Sequence, residues 1–210
     1  RLRKLHSLTG VVPVGLFVVV HLWVNARALR GQNAFDSAVG DIHRVPLLPL
    51  FELAILVPLL FHAAYGIKLS FEGLPNLKTD PSTKNWLYVL QRVSGVAALV
   101  FITYHLFQLR YQKLIGATNI EAYYATLCAE LSSTTMGVPW VALLYLIGIA
   151  ACAFHLANGM VGFASSWGIT TTPRSQQIAA VSFGILGLLL FLIGADTTLF
   201  FATGTKFFVL

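Results

Sequence analysis

The sequence predicts an all-α integral membrane protein, a bundle of five transmembrane helices, and three observations carry that prediction. Of its 210 residues, 57% are hydrophobic. Only 10% are charged, about 40% of the charged fraction usual in a soluble domain. The apolar residues gather into five stretches, each long enough to cross a hydrocarbon core about 30 Å thick, which takes roughly 20 helical residues. None of the stretches alternates as a membrane β-strand does.

The first span, about residues 8 to 29, follows Arg1, Arg3 and Lys4 and contains His21 and Asn25. Its length and those polar residues mark a retained helix, not a cleaved signal peptide. Because the sequence opens on Arg1 rather than Met, some residues are expected to precede it. The second span, about 47 to 70, follows Pro46 and contains Glu52 and His62. Glu72 to Lys84, rich in Pro, Asn, Lys and Asp, reads as a turn. The third span, about 87 to 109, holds Arg92, Ser94 and His105, and the fourth, about 138 to 164, holds Cys152 and His155. Thr170 to Gln177 forms a second turn before the fifth span, about 178 to 196. The two longer connections, Gly31 to Pro46 and Tyr111 to Pro139, carry scattered apolar residues such as Phe35, Ala38, Val39 and Ile42. Each is either a short helix along the interface or a solvated loop with buried anchors. Nothing suggests a second domain, so residues 1–210 read as one membrane-anchor domain.

The net charge of +6 would suggest nucleic acid in a soluble protein. Here its distribution matters more, and no nucleic-acid partner is expected. With the N-terminus inside, Arg1, Arg3, Lys4, Lys68, Lys78, Lys84, Arg92 and Arg174 fall on the inner side. Arg27, Arg30, Arg44, Arg110, Lys113 and Lys206 fall outside, a bias that favours an N-inside orientation. Of the acids only Glu72 and Asp80 fall inside, whereas Asp36, Asp41, Glu52, Glu121, Glu130 and Asp196 fall outside. The net positive charge is then cytoplasmic and suits docking of a soluble partner. Cys128 and Cys152 offer neither a covalent-haem motif nor zinc spacing, and Cys152 reads as a dry thiol.

Four histidines, His21, His62, His105 and His155, stand one in each of the first four spans. Their neighbours match in pairs. Leu5-His6-Ser7-Leu8-Thr9-Gly10 leads to His21 as Leu90-Gln91-Arg92-Val93-Ser94-Gly95 leads to His105, with gaps from glycine to histidine of eleven and ten residues. Phe61-His62-Ala63-Ala64-Tyr65-Gly66 matches Phe154-His155-Leu156-Ala157-Asn158-Gly159. Spans one and two therefore resemble spans three and four as consecutive hairpins, related as parallel repeats, with chance likeness among apolar helices as the alternative.

Depth decides which histidines can meet. At 1.5 Å per residue, His21 and His105 lie roughly 16 and 15 Å beyond their glycines, in the outer half, and His62 and His155 lie about 6 Å before theirs, in the inner half. The pairs are His21 with His105, and His62 with His155. Intramembrane histidines are costly unless used, and two axial nitrogens on opposite faces of a macrocycle are what haem b needs. Zinc would need a fuller ligand shell, and a proton relay would need more carboxylates than Glu52 and Asp196. The reading is a bundle holding two b haems. Arg92, Ser94, Ser7 and Thr9 are placed to meet the inner haem's propionates, and Arg27 and Arg110 the outer one's, unless the arginines snorkel to headgroups. His6 either meets a propionate or quinone or is an interfacial surface histidine, and His43 reads as a loop residue.

These residues resemble a known family, the cytochrome b membrane anchor of succinate dehydrogenase and fumarate reductase, in its di-haem, single-subunit, five-helix class. The similar stretches are Arg3 to Gly15, His21 to Asn25, Pro58 to Gly66, Asn85 to Gly95, Phe154 to Gly159, Trp167-Gly168-Ile169-Thr170 and Thr172-Pro173-Arg174-Ser175-Gln176. In their order they run through nearly the whole chain. The resemblance implies His21 and His105 as axial ligands of the distal haem, and His62 and His155 as those of the proximal haem. It implies a flavoprotein subunit and an iron-sulfur subunit docked on the cytoplasmic face of the bacterial inner membrane, with FAD and the clusters in those partners. Electrons from succinate would pass through the two haems to menaquinone. Lipid is the remaining partner, and a higher oligomer stays open. A carboxylate near the outer haem is implied for quinone protonation, with Glu52 the candidate and a headgroup position its alternative. The same wiring serves a quinol:fumarate reductase or the anchor of another quinone-linked dehydrogenase, and a haem-free transporter is the rival of a different class.

Overall fold

A computed structural model of the protein describes residues 1–72, 76–117 and 119–208. In chain order its main helices are α1 (Leu2–Arg30), α2 (Gln32–His43), α3 (Leu48–Glu72), α4 (Thr83–Leu114), α5 (Tyr123–Ser132), α6 (Trp140–Ser166) and α7 (Pro173–Thr203). Five of these, α1, α3, α4, α6 and α7, are long and apolar enough to cross a membrane. Each predicted span overlaps one of them. The turn expected over Glu72 to Lys84 includes residues 73–75, which lie outside the described residues.

The helices run past the predicted ends where polar side chains are satisfied by the helix itself. In α7, the hydroxyls of Thr197, Thr198 and Thr203 each donate over 2.8 Å to the carbonyl four residues back, so a polar run inside apolar surroundings leaves no unpaired hydroxyl. Asp196, the last residue of the predicted fifth span, lies within α7 and is 0% exposed. Its Oδ1 accepts the backbone N–H groups of Phe207 at 2.7 Å and Phe208 at 3.3 Å, which ties the returning chain to the helix. That return is made by Gly204, whose φ of 72° suits the left-handed helix cap. At its start, α7 has Pro173 in its first turn and a reciprocal Thr172/Ser175 capping box.

Two of the crossing helices carry a widened π turn. In α1 it covers Gly10–Gly15 around Pro13, where the missing N–H and the ring of proline disturb an ordinary α register. In α4 it covers Leu106–Tyr111, directly after His105. Such turns recur at functional sites.

Helix α6 is the centre of the bundle, packed against α4 on one side and α7 on the other. Small residues bring the backbones together, as in other membrane interfaces. The ring of Phe101 fills the space over Gly148, and a methyl group on Gly187 would stand 2.6 Å from Ala157 Cβ. The first half of α1 packs on α3 and α6, and its later part on α7. Outward-facing Trp23, Leu60, Val100, Ile147 and Leu188 are exposed, as a lipid-facing surface requires.

The end of the bundle that carries residue 1 is called the near end below, and the opposite end the far end. Both long connections at the far end fold as helices, α2 and α5, and not as solvated loops. Phe35 of α2 is 1% exposed and meets Tyr124 of α5 and Phe201 of α7 edge-on, with ring centroids 5.8 and 5.6 Å away. Burial raises the phenols of Tyr123 and Tyr124 and the Cys128 thiol above their ordinary values, so this lid keeps those groups neutral. His43 closes α2, its Nδ1 donating to the Val39 carbonyl over 2.8 Å.

Candidate functional site

The hairpin repeat of the sequence becomes a repeat of contacts at the near end. His62 Nδ1 is 2.9 Å from the His6 carbonyl, and His155 Nδ1 is 3.0 Å from the Gln91 carbonyl. His6 and Gln91 are matching positions of the repeat. A carbonyl only accepts, so these two bonds need the proton on Nδ1 and leave Nε2 unprotonated; at His155 the shorter contact is the carbonyl, with Gln91 Nε2 at 3.3 Å from the same nitrogen. The glycines match too. A Cβ on Gly10 would stand 2.6 Å from His62 Nδ1, and one on Gly95 would stand 2.8 Å from His155 Cε1. Each imidazole therefore rests on backbone that only glycine exposes. The other glycine pair faces the matching side chains: Gly66 lies against His6 Nε2 and Gly159 against Gln91 Nε2, at 3.1 and 3.2 Å from a built Cβ.

The repeat is broken at one side chain. His6 stacks on His62 with ring centroids 4.1 Å apart and planes within 6°. Gln91 instead donates to the His155 carbonyl at 3.0 Å and accepts from Asn158 Nδ2 at 2.8 Å. His6 is thus a half-buried member of the near-end cluster and not a surface residue. Its Nε2 is buried with no hydrogen-bond partner among the described residues.

At the far end the scaffold is different. His105 Nδ1 lies 3.0 Å from Tyr145 Oη, which lies 2.9 Å from Gln108 Oε1. His21 is held within its own helix, where Asn25 Nδ2 donates to the His21 carbonyl at 2.8 Å and lies 3.4 Å from its Nε2. Arg110 and Glu52 join α4 to α3 at this end, with an N–O distance of 2.5 Å and side chains 37% and 36% exposed.

The structure brings the four histidines together in the pairs that depth predicted. Ring centroids are 5.7 Å apart for His21 and His105 and 6.1 Å for His62 and His155. Two metal–imidazole bonds of about 2 Å each, one on either face of a macrocycle, set axial ring centroids about 6 Å apart. The donor set fits that group: two neutral imidazoles per centre, with the second nitrogen at the near end fixed by a backbone acceptor, as metal-binding histidines usually are.

The remaining predicted residues fall around the near end. Ser94 is buried, donates to the Gln91 carbonyl at 3.2 Å and lies 3.4 Å from His155 Nδ1, so it lies beside the His155 ring. Ser7 accepts from Trp167 Nε1 at 3.1 Å, while Lys4 lies over the Trp167 ring at 5.3 Å. This joins the Trp167-Gly168-Ile169-Thr170 stretch to the start of α1. Arg92 lies 3.4 Å over the Tyr88 ring and bonds the Tyr88 hydroxyl and carbonyl, with its Nε unpartnered among the described residues. Gln91, Asn158, Tyr145 and Gln108 escaped the sequence reading. The repeat signalled Gln91, which aligns with His6; nothing in the spacing signalled the others.

A family model described as the succinate dehydrogenase/fumarate reductase transmembrane subunit matches residues 4–84 and 74–194. These two stretches divide the chain close to where the hairpin repeat divides it. The succinate dehydrogenase cytochrome b558 subunit of Bacillus subtilis (strain 168) is 40% identical over 178 residues, 84% of this chain and 84% of that protein. No solved structure gives a significant match.

Proposed function

Because the chain belongs to the succinate dehydrogenase/fumarate reductase transmembrane subunit family, we propose that it carries electrons between the iron-sulfur subunit of a succinate dehydrogenase and menaquinone through two b haems, one at each end of the bundle. It is the multi-pass membrane cytochrome b subunit of such an oxidoreductase. Flavoprotein and iron-sulfur partners complete the complex and hold the FAD and the clusters. The observation that carries the two-haem reading is the repeated geometry at the near end, where His62 and His155 are tied through Nδ1 at 2.9 and 3.0 Å.

Bound haem supplies one-electron redox chemistry at each centre. The chain's own residues hold and insulate it. His62 and His155 present Nε2 at the near end, and His21 and His105 are the matching pair at the far end. His6 and Arg92 offer donors at the near end to propionates or to quinone, and Ser7 and Ser94 would donate there by turning from the Lys4 and Gln91 carbonyls. The near end is the cytoplasmic one in this reading, because Arg1, Arg3, Lys4, Lys68, Lys78, Lys84, Arg92 and Arg174 face the docked partners there. Quinone is reduced at the far end, where Glu52, held by Arg110, handles its protons. The reverse flow, from quinol to fumarate, uses the same residues.

The test is the purified complex. Succinate should reduce a bis-histidine b-type spectrum, and Glu52→Gln should slow menaquinone turnover with both haem spectra intact. A folded complex without haem would overturn the reading, and unchanged turnover would remove Glu52 from it.

A further inference from the structure

Three of the four histidines, His62, His105 and His155, have a partner at Nδ1, and the partners differ. At His62 and His155 the partner is a backbone carbonyl. At His105 it is a side chain, Tyr145 Oη at 3.0 Å, which lies 2.9 Å from Gln108 Oε1 three residues further along α4. Tyr145 is 6% exposed. Its ring is fixed edge-on by Phe101, His105 and Tyr104, with centroids 5.2, 5.7 and 6.5 Å away, so the hydroxyl sits at one place between its two neighbours.

A phenol has one proton to give. Directed to Gln108 Oε1, it leaves the oxygen to accept from His105 Nδ1–H, and His105 Nε2 stays free for a metal. Directed to His105 Nδ1, it would require the proton on Nε2 and close that nitrogen. The observed arrangement is the first: Tyr145 Oη donates to Gln108 Oε1 at 2.9 Å.

We propose that Tyr145, with Gln108 as its acceptor, is a positioning residue of the far-end centre: it fixes the tautomer of His105 and sets the redox potential of that centre alone. An acceptor on Nδ1–H makes an imidazole a stronger donor to its metal, and axial donor strength and outer hydrogen bonds tune haem potential. A stronger donor favours the oxidised metal, so the relay holds the far-end potential down. This rests on the two-haem reading above.

The experiment is a potentiometric titration of the purified complex carrying Tyr145→Phe, which keeps the ring packing and removes the hydroxyl, with both haems followed in one sample. The expected result is a far-end midpoint raised above wild type, or selective loss of the far-end haem, with the near-end midpoint unchanged. Gln108→Glu, which still accepts, should keep the far-end haem with its midpoint at or below wild type. Gln108→Lys, which only donates, should deplete the far-end haem and spare the near-end one. If Tyr145→Phe does not assemble, Gln108→Leu reads the relay from its other side by moving the far-end midpoint alone. Two haems with an unmoved far-end midpoint, or with both midpoints moved equally, would overturn the inference while leaving the two-haem reading in place. A folded wild-type complex without bis-histidine haem would overturn both.

Discussion

The near-end and far-end histidine pairs are built from one repeat by different means. At the near end, matching residues make matching contacts: carbonyl to Nδ1, glycine under imidazole, and a second glycine facing His6 or Gln91. Main chain does most of the holding, so the geometry is fixed by where the helices cross. At the far end His105 depends on Tyr145 and Gln108, while for His21 it is Asn25 of its own helix that bonds the carbonyl and lies near Nε2. Side-chain holding can be altered residue by residue, so under the proposal above the far-end potential would be adjustable and the near-end one constant. In the proposed function the break in symmetry falls where the two ends would have different tasks, electron entry from a docked protein and delivery to a diffusing quinone.

Ligand removal breaks the comparison most completely. His105→Leu should abolish the far-end haem and leave the near-end spectrum intact, and loss of the near-end haem instead would overturn the pairing. Next is the glycine seat. Gly10→Leu places carbon where the His62 ring lies, and the ring is tied by Nδ1, so the near-end haem should be lost while the far-end haem persists. Gly95→Ala meets His155 less closely, at 2.8 Å, and should lower near-end occupancy without abolishing it. Haem-to-chain ratios of the purified variants check all three.

A smaller effect sharpens the main-chain argument. Gln91→Ala removes the amide bonds to the His155 carbonyl and Asn158 but leaves the backbone carbonyl that accepts from His155. Both haems should remain, with thermal stability lowered by about 0.5–1.5 kcal/mol for each net hydrogen bond lost. A missing near-end haem in this variant would show that the side chain, and not the carbonyl, holds the ligand. Smallest of all, Asp196→Ala should release residues 204–208 to protease and leave both spectra unchanged.

Much of this was legible in the sequence because a helix converts spacing into depth. The glycine-to-histidine gaps of eleven and ten residues set His21 and His105 at one level, and the reversed direction of the next helices set His62 and His155 at another. Depth does not tell which way a side chain turns. Tyr145 reaches His105 only because α6 and α4 pack closely at Gly148 and Phe101, a rotational register that apolar helices with small residues leave open. The partners of Asp196 were not legible either, because the two backbone N–H groups that its Oδ1 accepts come from the chain returning after Gly204. The lid helices were readable only as one of two options, since Phe35 takes its burial from Tyr124 and Phe201, far along the chain.

The central claim is that the chain holds two bis-histidine haems, one at each end, and haem stoichiometry tests it most directly. The pyridine haemochrome of the purified complex, set against the amount of this subunit, should give two b haems per chain in the wild type and one in His62→Leu. One haem or none in a folded wild-type complex, or loss of both in His62→Leu with the chain still folded, would contradict it.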